Sequence, residues 1–440
     1  MEETPRNIKS PYLERHDIQK QFEHLDTVVK EAQKRIDYTI AHDKDLLKAI
    51  EVVERFLRKR KRVCYGGQAI NALLPTTHKF YDEKTDVPDY DFFTPDAKGD
   101  IAELIELLEA DNFEVSKKVG IHEGTIKLMV NFNEVADVSQ MNPKAFAVLQ
   151  KRAKSVDGIL YSDEDFLRML MYLELSRPRG QVDRWHKVYE RLLLLNRIYG
   201  TDTCDDTIRT DRRVQEEDRA RMLEFCMKHK RVLASPECIE LMQKKQGKGT
   251  MESLVRRGGP VIMFSDQAKL DAEDLRDILE RGTRIEYYPA IIDDIFSVYV
   301  LTRRNVPLAL IVQETACHAY SNFVVDNKAE MRIGTPDLLL HLYYSIMIFG
   351  KKEKTFFQNS LRCLIQKLHM LEWEGRNRPS ALVPTFGLRC SGHQKGFATL
   401  LRERVERAKA EGEKSKTRKN KNKNSNTKHG KNNKGKTRHV

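Results

Sequence analysis

The chain has no apolar run long enough to cross a bilayer. Its longest uncharged apolar stretch, Leu342–Phe349, is about eight residues, against the ~20 a spanning helix needs. The first residues are polar and charged, so no secretory leader is expected, and neither is a membrane partner. Cysteine is scarce: seven residues, an odd number, with no C-x-x-C pair. That pattern predicts free thiols in a reducing compartment. Cys390-x-x-His393 has ligand-like spacing but no second half, so no metal is expected there. Acid is missing from one end: Lys414–Val440 holds eleven Lys or Arg and no Asp or Glu, which leaves the rest near +1 out of a net +12. Rich also in Asn, Gly, Ser and Thr, this tail is expected to be disordered. Its basic charge would attract nucleic-acid phosphates without regard to sequence and with strong salt dependence.

The most informative feature that is present is a pair of short motifs. Val63-Cys64-Tyr65-Gly66-Gly67-Gln68-Ala69-Ile70-Asn71 is followed by Val87-Pro88-Asp89-Tyr90-Asp91-Phe92-Phe93. Both flanks are β-branched or aromatic and read as strands. Side chains at i and i+2 share a strand face, so Asp89 and Asp91 project together while Tyr90 points away. Two carboxylates so close need a cation between them, and hard oxygen ligands suit Mg²⁺ or Mn²⁺. The glycines open a helix over Gln68–Leu74, stopped by Pro75, and bare N–H groups at a helix start make a phosphate site. A lone Gly-Gly is usually a turn, and a lone Asp-x-Asp usually a solvated strand face. Joined on strand–helix–strand elements, they point to nucleotidyl transfer.

A third carboxylate fits the same reading. Thr125–Phe132 alternates as a strand, Asn133-Glu134 reads as a turn, and Val135–Met141 as a second strand containing Asp137. A charge inside an apolar run is costly without a partner; a cation shared with Asp89 and Asp91 would supply one.

Gly-Gly, Asp-x-Asp and a distant strand Asp resemble the DNA polymerase β-like nucleotidyltransferase superfamily. The strings YGGQAINALLP, YDEKTDVPDYDFF, EVADVSQM and LELSRPRGQVDRWHKVYERLLLLN together resemble the poly(A) polymerase catalytic subunits of large nucleocytoplasmic DNA viruses, over most of residues 40–400. The resemblance implies that Gly66 and Gly67 hold the phosphates of ATP, and that Asp89, Asp91 and Asp137 are catalytic and bind two metal ions. It implies transfer of AMP from ATP to an RNA 3′ end without a template, with pyrophosphate released. Many superfamily members place a serine beside the first glycine. Here Gln68 stands there, so backbone N–H groups or the Gln68 amide would take that role. Superfamily members also draw triphosphate contacts from a helix after the sheet. Arg184, Lys187 and Arg191 recur at i, i+3 and i+7 on one helix face, and Arg184 and Lys187 are the expected contacts. Trp185 and Tyr189 read either as core, the preferred reading, or as aromatic faces on which a base stacks. The rival functions are a CCA-adding, uridylyl- or small-molecule nucleotidyltransferase, and a non-catalytic RNA-binding scaffold. The resemblance further implies either a homodimer or a separate processivity subunit, and a setting in the host cytoplasm and the virion.

An internal repeat organises the chain. PDYDFFTPDAKGDIAELIELLEAD aligns with PVIMFSDQAKLDAEDLRDILERG, placing Pro88 on Pro260 and Phe92 on Phe264; SDEDFLRMLMYLEL aligns with GTPDLLLHLYYSIM, placing Asp165 on Asp337 and Tyr172 on Tyr344. Through that alignment Asp89, Asp91 and Asp137 fall on Val261, Met263 and Ala309, so the second copy lacks the carboxylates. The expected fold is α/β (α+β): two tandem nucleotidyltransferase-like domains, the second degenerate. The expected divisions are a helical segment over 1–60, the catalytic domain over 61–200, a charged connector over 201–235, the degenerate domain over 236–404 and the tail over 405–440. In the first segment Asp43 is the expected N-cap, with Leu46, Leu47, Ile50, Val53 and Leu57 as the buried stripe.

Overall fold

The structure is a computed structural model. It describes residues 15–409 apart from 83, 121–123, 201–203, 205–213, 244–247, 257–258, 280–281, 290–295, 328, 351–359, 378–385, 397 and 408. Of the tail expected to be disordered over 405–440, residues 405–407 are helical instead, and everything beyond residue 409 lies outside the described residues.

The first half runs α1 (Arg15–Ala41), α2 (Lys44–Arg60), β1 (Val63–Cys64), α3 (Gly66–Leu73), β2 (Tyr90–Thr94), α4 (Ala97–Ala110), β3 (Val115–Val119), β4 (Thr125–Val130), β5 (Asn133–Gln140), α5 (Pro143–Arg152), β6 (Lys154–Val156), β7 (Ile159–Tyr161), α6 (Glu164–Leu175) and α7 (Trp185–Ile198). Asp43 caps α2 by accepting from the backbone N–H groups of Asp45 and Leu46, satisfying donors a helix start leaves bare. Leu46, Ile50, Val53 and Leu57 are buried with Ala49, Val52 and Phe56. Leu47 is 40% exposed and does not belong to the stripe. The helix 3.6-residue period carries its side chain past the sheet. The strands form one mixed sheet in the order β3-β4-β5-β2-β1-β7-β6. The turn between β4 and β5 falls at Asn131 and Phe132, both at positive φ, so the expected turn residues Asn133 and Glu134 lie in β5.

The second half runs α8 (Glu216–Lys228), β8 (Val232–Leu233), α9 (Glu237–Gln243), β9 (Lys248–Gly249), α10 (Met251–Val255), β10 (Val261–Ser265), α11 (Ala268–Ile278), β11 (Thr283–Tyr288), β12 (Val298–Arg303), β13 (Val306–Gln313), β14 (His318–Val325), β15 (Ala329–Gly334), α12 (Pro336–Phe349), α13 (Leu361–Asn377) and β16 (Cys390–Ser391). Its main sheet has the order β11-β12-β13-β10-β8-β15-β14-β16. Position for position, the first seven strands repeat the order of the first sheet. β8 lies inside the segment read as a connector, and it pairs with β10 and β15 as β1 pairs with β2 and β7.

Side-chain contacts fix the register of the repeat and correct it by one residue. The Thr94 hydroxyl accepts from Asp96 N–H and that of Ser265 from Gln267 N–H. Gln140 accepts from Ala97 N–H and Gln313 from Ala268 N–H. Arg62 pairs with Asp100 and Arg231 with Asp271, both at 2.6 Å. With Thr94 on Ser265 and Gln140 on Gln313, Asp89, Asp91 and Asp137 fall on Pro260, Ile262 and Leu310, not on Val261, Met263 and Ala309. The strand pairs agree: Asp91 stands beside Asp137 and Ile262 beside Leu310. Adjacent phenylalanines, Phe92 and Phe93, gave the sequence two ways to match Phe264, and one-residue slips exchange strand faces. The glycine pair becomes Ser235-Pro236. The second copy thus lacks all three acids and both glycines.

The halves meet through α6 and α12, themselves repeat equivalents. His341 Nδ1 lies 2.8 Å from the Met169 carbonyl, and the Tyr172 and Tyr344 rings lie near-parallel with centroids 6.3 Å apart. Equivalent residues touching each other is the geometry of a local two-fold. Two cysteine pairs depart from the free-thiol expectation: Cys204 is bonded to Cys363 and Cys317 to Cys390, while Cys64, Cys226 and Cys238 are buried thiols. Each pair spans a long sequence separation, so spacing gave no sign of it. Among the described residues no helix is long and apolar enough to cross a membrane.

Candidate active site

The glycine pair lies in the first turn of α3, two residues earlier than the sequence suggested. Extended Tyr65 leads into it, its N–H donating to the Asp91 carbonyl at 2.9 Å. Gly66 sits at φ +74°, and a Cβ there would overlap Asp91 Oδ2. Only glycine meets both demands at low cost. A Cβ on Gly67 would overlap the Tyr81 hydroxyl and stand 2.7 Å from Arg191 Nη1. The bare backbone of the turn is thus faced by a carboxylate on one side and a guanidinium on the other. Gln68, half-buried, follows in the same turn.

The carboxylates come together through strand register. Asp91 on β2 is the parallel partner of Asp137 on β5, and Asp89 precedes it by two residues, on the same side. Tyr90 points the other way, is buried, and donates to Glu54 at 2.7 Å. The crowding shows in the acidities. Desolvation in the cleft, then the Asp137 and Glu134 charges, raise Asp89 to about 6, with Lys127 opposing. Asp89 is nevertheless open to solvent as a residue, which screens part of that effect. Burial, then Asp89 and Asp137, push Asp91 well above the ordinary carboxylate range.

One cation belongs to this cluster that the sequence did not single out. Lys127 on β4 is the antiparallel partner of Asp137, so Lys127, Asp137 and Asp91 form one row across three strands. Its Nζ lies 3.0 Å from Asp137 Oδ2 and 2.8 Å from Glu134 Oε2. Burial works against the ammonium, but Glu134 and Asp137 outweigh it and raise its pKa. The alternation of β4 opposite Asp137 was the available signal.

The three basic side chains Arg184, Lys187 and Arg191 stand differently toward the glycine turn. Arg191 reaches the glycine turn: its guanidinium lies 4.7 Å from the Phe80 ring centroid and 5.4 Å from that of Tyr81, and Nη2 donates to the Tyr81 hydroxyl at 2.8 Å. Asn71 holds that loop by accepting from Phe80 and Tyr81 N–H at 2.9 and 3.2 Å. Arg184 turns outward to Glu174 at 3.4 Å and Gln181 at 3.1 Å, though its charge still stabilises ionised Asp91. Lys187 is exposed as a residue; burial of its ammonium, then Arg191 and Arg184, lower its pKa, while Asp86 and Asp91 oppose. Trp185 donates to the Glu174 carbonyl at 3.0 Å and tilts against Phe386, which Tyr189 also meets edge-on. Both are half-buried and pack against the edge of the core.

Three hard carboxylates on one face, two of them with pKa raised by burial and by their acidic neighbours, are a donor set suited to a divalent cation. Among the described residues no three His, Cys, Asp or Glu groups converge as a finished ligand shell; Asp137 is committed to Lys127.

Residues 51–181 match the family model for the poly(A) polymerase catalytic subunit. A protein of Acanthamoeba polyphaga mimivirus named for that subunit is 29% identical over 164 residues, which are 36% of this chain and 27% of that one. An African swine fever virus protein of the same name is 30% identical over 158 residues, 34% of this chain and 33% of that one. The matched stretch therefore spans a third or less of these relatives. Among solved structures, the crystal structure of the Megavirus polyadenylate synthase superposes with a TM-score of 0.75 at 16% identity, over 93% of this chain and 86% of that one. The segment that carries the glycine pair and the three carboxylates thus matches the poly(A) polymerase catalytic subunit family, on a chain with the fold of the Megavirus polyadenylate synthase.

Proposed function

We propose that the chain is a template-independent poly(A) polymerase that adds AMP from ATP to RNA 3′ ends. The observation that carries the proposal is the cross-strand pair Asp91–Asp137 beside the bare first turn at Gly66. Asp89, Asp91 and Asp137 would hold Mg²⁺ or Mn²⁺, two ions in all. When bound, these activate the attacking hydroxyl and stabilise the leaving oxygen. The chain's own residues do the rest. Gly66 and Gly67 offer backbone N–H groups to the triphosphate, with the Gln68 amide beside them. Arg191, braced on Phe80 and Tyr81, and Lys187 neutralise its charge; Arg184 acts from further out. The RNA 3′-oxygen bonds to the α-phosphorus, the bond to the β-phosphate bridge breaks and pyrophosphate leaves. Asp137 takes the hydroxyl proton.

RNA would be held by phosphate contacts, the basic tail among them, and not by reading bases. The second half, without acids or glycines at the equivalent positions, serves as wall and interface. A second copy of the chain is the protein partner we favour over a separate processivity subunit. On α1, Ile18, Phe22, Leu25, Val29 and Ile36 are all exposed and, with Ala32, follow the 4-3-4-3-4 spacing of a coiled-coil seam that another such helix completes. Light scattering should then give twice the chain mass, and one chain mass once Phe22, Leu25 and Val29 are made polar. The setting we expect is the host cytoplasm and the virion.

Primer extension tests the function. Purified chain, an RNA primer and each nucleotide in turn, with and without Mg²⁺ or Mn²⁺, should give long products with ATP and metal only. Short CCA or uridylate additions would favour the other RNA nucleotidyltransferases, and no incorporation would favour a scaffold.

A further inference from the structure

Lys127 touches two acids, and the backbone is built so that it can. Glu134 and Asp137 are three residues apart on β5, an odd spacing that in a regular strand sends side chains to opposite faces. Between them the β4–β5 ladder slips: Leu128 pairs with Ala136, but Met129 pairs with Glu134. Val135 is the extra residue of a bulge, and a bulge re-aims the side chains beyond it. It brings Glu134 round to the face of Asp137. One ammonium then lies 2.8 Å from Glu134 and 3.0 Å from Asp137. The two acids differ in setting: the Glu134 side chain is 39% exposed and that of Asp137 13%. A lysine suits this place better than an arginine would, being a compact charge that can move without breaking a bidentate fork.

We propose that Lys127 is the resident counter-ion of the carboxylate row, and that a divalent cation binds by displacing its ammonium from Asp137 onto Glu134. This rests on reading Asp89, Asp91 and Asp137 as the metal site. A dication on Asp137 repels an ammonium 3.0 Å from the same carboxylate, so the two compete. Glu134 is the place to which the ammonium withdraws, and it sets how hard the displacement is. The two residues therefore tune metal affinity in opposite directions without being ligands.

The test is Mn²⁺ binding to the full chain without nucleotide, read by the loss of free-Mn²⁺ electron paramagnetic resonance signal. Lys127→Met should bind about twofold to fivefold more tightly, since a competitor of ordinary ion-pair strength is gone. Glu134→Gln should bind more weakly by a similar factor, because Lys127 then has Asp137 alone. Asp137→Asn should lose binding. Should Lys127→Met not fold, as judged by circular dichroism, Glu134→Gln decides alone. Wild type binding Mn²⁺ and Asp137→Asn failing to, with Glu134→Gln unchanged or tighter, overturns the counter-ion role and leaves the metal site standing. Wild type binding no Mn²⁺ removes both.

Discussion

Replacing Asp89 with asparagine should make the metal-free protein more stable while abolishing its activity. Asp89 ionises in the folded chain at about 6, against an ordinary value of 3.8. Between those values the folded state binds more protons than the unfolded state, so stability falls as pH rises. The penalty is absent below about pH 4 and fully present above about pH 6. A shift of that size corresponds to ~3 kcal/mol if unscreened, but Asp89 is open to solvent, so about 1 kcal/mol is the magnitude expected. Asp89→Asn removes the ionisation and should gain that amount at pH 7.5 in EDTA, and nearly nothing at pH 4. Urea denaturation at the two pH values, on wild type and variant, measures it. Adding Mn²⁺ should reverse the order at pH 7.5, because only wild type gains a ligand. A variant less stable than wild type at pH 7.5 in EDTA would refute the reasoning, since Asp89 would then be making a favourable contact instead of enduring desolvation and repulsion.

Three further outcomes follow from the same geometry. Gly66→Ala combines a left-handed backbone with a Cβ that overlaps Asp91 Oδ2; it should lose about 1–3 kcal/mol of stability and its Mn²⁺ binding, both measurable by calorimetry. Arg191→Ala should raise the KM for ATP at least ~10-fold, as removal of a charge-assisted contact does, whereas Arg184→Ala should change it by no more than about twofold; steady-state tailing assays separate them. Alkylation of denatured protein without reductant should label three thiols, Cys64, Cys226 and Cys238, and seven after reduction; mass spectrometry reads the count.

Sequence alone carried the parts of the site that depend on period and spacing. Asp89 and Asp91 had to share a face because strands alternate, and Gly66-Gly67 before a helix had to leave N–H groups bare. What it could not carry was contact across the chain. Arg184, Lys187 and Arg191 look alike on one helix face; only the docking of α7 brings Arg191, and not Arg184, to Gly67. Lys127 became part of the site through its ladder partner Asp137 and through a bulge that no local pattern announces. The one-residue error in the repeat has the same origin: Phe92 and Phe93 match Phe264 equally well, and contacts in the folded chain, such as the Thr94 and Ser265 turns, choose between them. Cys204 and Cys363 are 159 residues apart, a pairing that depends wholly on how α13 packs.

The central claim is that Asp89, Asp91 and Asp137 gather divalent cations beside the Gly66–Gly67 turn. Crystals of the chain grown with Mn²⁺ and a non-hydrolysable ATP analogue, measured at the manganese absorption edge, address it directly. Anomalous peaks within bonding reach of all three carboxylates, with triphosphate oxygens against the N–H groups of that turn, are the predicted result. Manganese held elsewhere, or a triphosphate bound away from Gly66 and Gly67, would contradict it.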